Sequence, residues 1–166
     1  MRFRGKHAGW LARLGGRPRA PERVEGPAPV FEPPRIGLAL GGGFARGIAH
    51  VGVLRAFERH RIPIHCITGV SAGSMVAAAF ASGAPAREIG LVGASMKFAD
   101  VARWRLGRMG FMRSERMERF LRRLLKCWRC EEMAVPLGVV ATDLITAQPV
   151  NFRDNGDVCM PIRASC

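Results

Sequence analysis

Tyrosine is absent from the chain, and no histidine follows His65. The remaining aromatic residues do not interleave with the basic ones in any nucleic-acid-binding pattern, so no nucleic-acid partner is expected. The missing late histidines leave the Cys127-Trp128-Arg129-Cys130 pair without further ligands for a zinc site, and it reads as a coincidence at a helix end. Five cysteines, an odd number, do not describe a disulfide framework in a chain without a secretory signal, which favours a reducing compartment and hence the cytoplasm. No apolar run is long enough for a membrane span, and residues 1–34 lack the apolar centre of a secretory signal. Acidic residues are scarce, 13 against 26 basic, and the net charge of +13 calls for an anionic partner. Peripheral contact with an anionic membrane is one reading, and a solubilising arginine surface is the other.

What is present is enough for one modest domain: 166 residues, 48% of them hydrophobic. Residues 1–34 are basic and rich in Gly and Pro without an apolar period, and read as a disordered arm. Residues 35–166 carry the domain. Ile36-Gly37-Leu38-Ala39-Leu40 is a buried strand, Gly41 to Gly47 a glycine loop, and Ile48, Val51, Leu54 and Phe57 the apolar stripe of a helix. A second strand leads into Gly69-Val70-Ser71-Ala72-Gly73, and an alanine-rich helix leaves it, closing at Ser82-Gly83. Pro85 opens another helix towards Met96, and residues 97–113, without clear period, read as a loop or lid. Ser114 caps an amphipathic helix with Met117, Phe120, Leu121, Leu124 and Leu125 on its buried side and Arg116, Arg119, Arg122 and Arg123 on the other. Val135 to Thr142 is a third buried strand, Val150-Asn151-Phe152 a short edge strand, and Asp157 a cap for a last helical start running through Ile162 to Ser165. The expected class is α/β with a mainly parallel sheet, incomplete at the C-terminus, where Cys166 falls inside a helix with only three parallel strands laid down.

Ser71 has the surroundings of a nucleophile elbow: strand, tight turn, helix, with Gly69 and Gly73 removing the β-carbons that would collide with a strained serine. Acyl transfer through a serine needs at least two donors for the developing oxyanion, and the backbone amides of Gly42 and Gly43 are the candidates, with Arg46 and Gly47 opening the next helix. In a parallel sheet both glycine loops emerge at the same carboxyl edge, so Gly41, Gly42 and Gly43 converge with Ser71. A P-loop is excluded because Phe44-Ala45-Arg46-Gly47 is not Gly-Lys-Ser/Thr, and a dinucleotide fingerprint is excluded by Phe44 and by the Thr68-Gly69 end of the second strand. A Ser–Asp/Glu–His order is not found in these residues, since His7, His50, His60 and His65 all precede Ser71. His50 reads as packed or solvated, and a Ser–Asp dyad needs no histidine.

Together, Gly41-Gly42-Gly43-Phe44-Ala45-Arg46-Gly47-Ile48-Ala49-His50, the Gly69–Gly73 elbow, Ala141-Thr142-Asp143-Leu144 and Ile162-Arg163-Ala164-Ser165 resemble bacterial patatin-like phospholipases over residues 35–166. The resemblance implies a three-layer α/β/α fold and a serine lipid acyl hydrolase acting on a lipid or acyl ester without metal or cofactor. It implies Ser71 as nucleophile and the Gly42–Gly43 amides as oxyanion hole, with Arg46 completing the motif. Phe44 stands where many members have glycine. The family's base is the Asp of an Asp-Gly-Gly or Asp-Gly-Ala motif, and no Asp-Gly pair occurs here. Asp143, Asp154 and Asp157 are the nearest substitutes, Asp143 reading as a structural cap. The expectation is therefore a hydrolase whose Asp lies beyond Cys166, so that this stretch alone is inactive or nearly so. The alternative is a non-catalytic lipid- or acyl-binding module of the same fold.

Overall fold

In the computed structural model, residues 34–97, 104–107, 110–112 and 115–166 are described. The expected arm, apart from Pro34, and the Ser114 cap lie outside them. Four strands form the main sheet: β1 (Gly37–Leu40), β2 (Cys66–Val70), β5 (Leu137–Thr142) and β6 (Pro149–Arg153), in the order β1-β2-β5-β6. The first three are parallel, with Leu40 opposite Gly69 and Gly69 opposite Val139. The edge strand β6 runs antiparallel to β5, as the short connection between them requires.

Five α-helices accompany the sheet among the described residues: α1 (Ala49–Arg59), α2 (Ala72–Ala81), α3 (Ala86–Ser95), α4 (Glu115–Leu124) and α5 (Cys159–Ser165). This is a mixed α/β fold with a mainly parallel sheet, as expected. Ala77, Ala78, Ala79 and Ala81 of α2 are fully buried, and their small side chains let the helix lie close to β2. Ile67 of β2, Val139 of β5, Leu54 of α1, Leu121 of α4 and Ile162 of α5 supply the large side chains of the core. The stripe expected on α4 is the one buried: Met117, Leu121 and Leu124, continued by Leu125, are inside, with Phe120 half-buried.

Local signals end the helices as the sequence suggests. Gly83, at φ 94°, lets its own N–H reach the Phe80 carbonyl and that of Ala84 reach Ala79, a Schellman closure of α2. Glu58 accepts the free N–H of Ala86 at 3.0 Å and so caps α3 from the end of α1.

Two expectations need correction. The chain after the glycine loop does not enter an α-helix directly; Phe44–Ile48 is a 3-10 turn, and only from Ala49 does α1 run. The tighter winding turns Ile48 out of the core, where it is 43% exposed. Within residues 97–113, read as loop or lid, β3 (Trp104–Gly107) and β4 (Gly110–Met112) pair as an antiparallel hairpin with Gly107 opposite Gly110. Strands this short are below the length at which alternation becomes readable. The rest of that stretch lies outside the described residues.

Candidate active site

The site is built where β1 and β2 end. Ser71 follows the last residue of β2 and precedes α2, with φ 50° and ψ −126°, a backbone state that a non-glycine residue adopts only when its surroundings impose it. Those surroundings are tight. A β-carbon on Gly69 would come within 2.5 Å of the Gly73 carbonyl oxygen and the Ser74 Cα. One on Gly73 would collide with the carbonyl oxygens of Leu40 and Gly41, so α2 starts in direct contact with the end of β1.

Three hydroxyl or thiol side chains fix the turn. Ser74 donates its hydroxyl to the Ser71 carbonyl at 2.6 Å. The Ser71 N–H donates to the Ser165 hydroxyl oxygen at 2.8 Å, and that hydroxyl in turn donates to the Val140 carbonyl at 2.6 Å. Ser165 therefore ties the elbow to β5 through α5. Cys166 is exposed as a residue, yet its sulfur turns inward: burial pushes the thiol up, and hydrogen bonds with Ser74 and Ser71 pull it back.

The glycine loop lies against the serine. A β-carbon on Gly42 would sit 3.2 Å from the Ser71 Cβ and 3.9 Å from its Oγ. Gly43 has φ 155° and hands its carbonyl to the Arg46 N–H at 3.0 Å. The Gly41 carbonyl pairs with His50 Nε2 at 2.8 Å; a carbonyl only accepts, so Nε2 carries the proton. Both bonds use carbonyls and neither engages the Gly42 or Gly43 amide. Gly47 is buried against α2, where a β-carbon would lie 2.7 Å from the Ala72 Cβ, while the Arg46 side chain is exposed. Two loops on adjacent parallel strands thus converge on one hydroxyl, an arrangement able to hold an acyl carbonyl over a nucleophile.

The three aspartates singled out in the sequence have other partners. Asp143 accepts the Ile145 N–H at 2.8 Å and the Thr146 hydroxyl at 2.9 Å, bonds that hold its carboxyl below the usual carboxylate range. Asp154 faces Arg153 at 3.4 Å on the surface. Asp157 accepts the N–H groups of Cys159 and Met160 at 2.8 and 3.2 Å and caps α5. Among the described residues, none of these bonds involves Ser71. Cys127 and Cys130 are free thiols, both pushed up by burial, and no cluster of three His, Cys, Asp or Glu side chains is placed to hold a metal ion among the described residues.

Beside the elbow is an apolar cavity of about 350 Å³. Ala72 and Gly47 form its wall nearest Ser71, and Ile48, Met75, Ile89 and Phe120 are among its apolar lining. The outward turn of Ile48 is explained here: it lines this cavity.

A family profile described as patatin-like phospholipase matches residues 38–166. The chain belongs to the patatin-like phospholipase family. Its relatives include the lysophospholipase nte1 of Aspergillus fumigatus, 47% identical over 77 residues, which is 46% of this chain and 4% of that protein. An uncharacterised NTE family protein of Mycobacterium bovis is 33% identical over 135 residues, 80% of this chain and 37% of that one. A lysophospholipase of Eremothecium gossypii is 59% identical over 46 residues, 28% of this chain and 3% of its own length. This patatin-like chain thus spans well under half the length of each of these three relatives. Among the described residues no helix is long and apolar enough to cross a membrane.

Of the residues singled out in the sequence, Gly41, Gly42, Gly43, Gly47, Gly69 and Gly73 gather at Ser71, whereas the Arg46 side chain makes no contact that draws it there. Sequence reasoning missed Ser165 and Ser74 as partners of the elbow and His50 as a brace of the glycine loop. His50 carried a local signal, its spacing of nine residues from Gly41 along the loop and first turns; Ser165, 94 residues from Ser71, carried none.

Proposed function

We propose that this patatin-like domain is a serine hydrolase of lipid acyl esters. Ser71 Oγ attacks the ester carbonyl, a carboxylate base takes its proton, and the amides of Gly42 and Gly43 receive the oxyanion. Collapse of the tetrahedral species expels the lipid alcohol, which takes the proton back. Water, activated by the same base, then frees the acid and restores Ser71. The observation that carries this reading is the approach of Gly42 to within 3.9 Å of the serine Oγ, measured from the position its β-carbon would occupy. The apolar cavity supports it, having the size of a small-ligand site and a wall that begins at Ala72.

The base belongs to a Ser–Asp dyad, with the aspartate C-terminal to Cys166. Asp143, Asp154 and Asp157, the nearest substitutes, are each engaged in capping or pairing, and residues 1–166 alone are expected to turn over ester slowly or not at all. The lysophospholipase names of the fungal relatives agree with a lipid ester as substrate. A charge of +13 suits peripheral contact with an anionic cytoplasmic membrane face.

The test compares the full-length gene product with its Ser71→Ala variant on p-nitrophenyl butyrate. The variant is expected to lose at least about 10³-fold in kcat/KM. Equal rates would remove Ser71 from the chemistry. Failure of a fluorophosphonate to label Ser71, with fatty acid still bound, would favour the non-catalytic acyl-binding module instead.

A further inference from the structure

One face of α4 leads to a second cavity, of about 510 Å³. Arg116, Arg119 and Arg123 line it, together with Ser95, Met96 and Phe120. The three arginines stand at i, i+3 and i+7, the spacing that puts them on one side of the helix. Glu118 of the same helix is turned elsewhere: it bonds Arg122 at 2.8 Å and faces Arg163 at 3.7 Å. Glu88 of α3 is likewise taken, by Lys126 at 2.5 Å. Among the described side chains, no carboxylate lines the cavity and neither Arg119 nor Arg123 has an ion-pair partner. Arg119 and Arg123, like charges on one concavity, repel each other, and an anion between them removes that cost. Guanidinium groups suit phosphate in particular, because their planar fork matches two phosphate oxygens at once.

Met96 and Phe120 line both this cavity and the apolar one beside Ser71. One site therefore has an apolar compartment and a cationic compartment divided by a shared wall. We propose that the arginine-lined cavity is a subsite for the phosphate of a lipid whose acyl chain occupies the apolar cavity. Resting on the reading of the apolar cavity as an acyl site, this names the substrate as an anionic phospholipid of phosphomonoester type rather than a neutral glyceride. Ser95 fits the role: its hydroxyl donates to the Val92 carbonyl at 2.9 Å, so what it turns outward is an oxygen that tolerates a bridging water beside the anion.

The experiment reads binding, in full-length Ser71→Ala protein, by calorimetry with dihexanoyl phosphatidate and dihexanoyl glycerol, both kept monomeric. The phosphatidate is expected to bind at least about tenfold tighter. Arg119→Gln with Arg123→Gln is expected to erase that preference while leaving the glyceride affinity and the unfolding midpoint in place. Arg122→Gln, outside the cavity, is expected to change neither. Equal affinities for the two lipids, or an equal loss in the Arg122→Gln control, would overturn the subsite. So would inorganic phosphate binding as tightly as the phosphatidate, which points to a free-phosphate site. Loss confined to vesicles containing phosphatidate, with the monomer unaffected, would assign the arginines to a membrane surface and overturn it as well. Because Ser71 is already replaced, a wrong assignment of the nucleophile leaves this result readable, and fluorophosphonate labelling of the unsubstituted protein decides that question separately.

Discussion

Gly41, Gly42 and Gly73 sit within a few residues or a few ångströms of one another, yet a methyl group at each meets a different neighbour. At Gly41 it meets nothing within 4 Å, at Gly42 it stops 3.2 Å from the Ser71 Cβ, and at Gly73 it enters the backbone of Leu40 and Gly41. Gly41→Ala is accordingly expected to leave stability within about 0.5 kcal/mol and labelling of Ser71 intact. Gly42→Ala is expected to keep the fold within about 1 kcal/mol but to slow fluorophosphonate labelling of the full-length protein at least about tenfold, since the methyl occupies space the carbonyl needs. Gly73→Ala should cost about 3 kcal/mol or more, because carbonyl groups at a strand end cannot give way as a flexible side chain would. Urea unfolding and labelling rates, taken together, check the series. Ser165 poses the reverse case, a side chain that touches the nucleophile only through its backbone. Ser165→Ala leaves the Ser71 N–H without its acceptor, for a loss of about 1–3 kcal/mol, and should lower kcat while KM holds. Ser165→Thr keeps the hydroxyl and should restore most of the rate. The glycines were readable because each belongs to a local spacing around Ser71. Ser165 was not, because a bond across 94 residues leaves no mark on either neighbourhood.

Elements whose function is local packing could be read from periodicity; elements defined by their partners could not. The stripe on α4 and the strand–turn–helix units around β1 and β2 follow from short-range spacing, and they are where the chain places them. The hairpin of β3 and β4 and the 3-10 turn at Phe44–Ile48 have three to five residues each, too few for a period to show. The last helix, α5, is a mixed case. Its start was legible in Asp157, and its purpose, holding Ser165 under the elbow, was not. α5 has only seven residues, so its cap carries an unusual share of its order. Asp157→Ala is expected to cost about 1 kcal/mol and to slow labelling of Ser71, as the Ser165 bond loosens. Asp157→Asn offers the same acceptor and should behave like the unsubstituted protein. If Asp157→Ala unfolded more easily but labelled at the normal rate, α5 would be support for the core and nothing more.

At the scale of the whole molecule, the sequence shows that β1, β2 and β5 share a direction, and from this the common edge for both glycine loops follows. It does not show which side chains end up around the same void. The two cavities joined at Met96 and Phe120 collect residues from the glycine loop, α2, α3 and α4, and such a gathering exists only after the core has packed. The same packing leaves a thiol with no way to ionise cheaply. Cys159, the first residue of α5, is buried, and burial, reinforced by Asp157 and Glu118, pushes its thiol up to about 11 from a usual value of 9.0. The folded state thus holds this proton more tightly than the unfolded chain does. The stability it contributes is complete below the unfolded value and is lost as pH rises through the folded one, so the window runs from about 9 to about 11. The urea midpoint is expected to stay level from pH 7.5 to about 8.5 and then to fall steadily towards pH 11. Cys159→Ala lowers the whole curve by removing core volume, but its alkaline slope should be shallower than that of the parent. Parallel slopes in the two proteins would mean that the core opens in alkali through some other group.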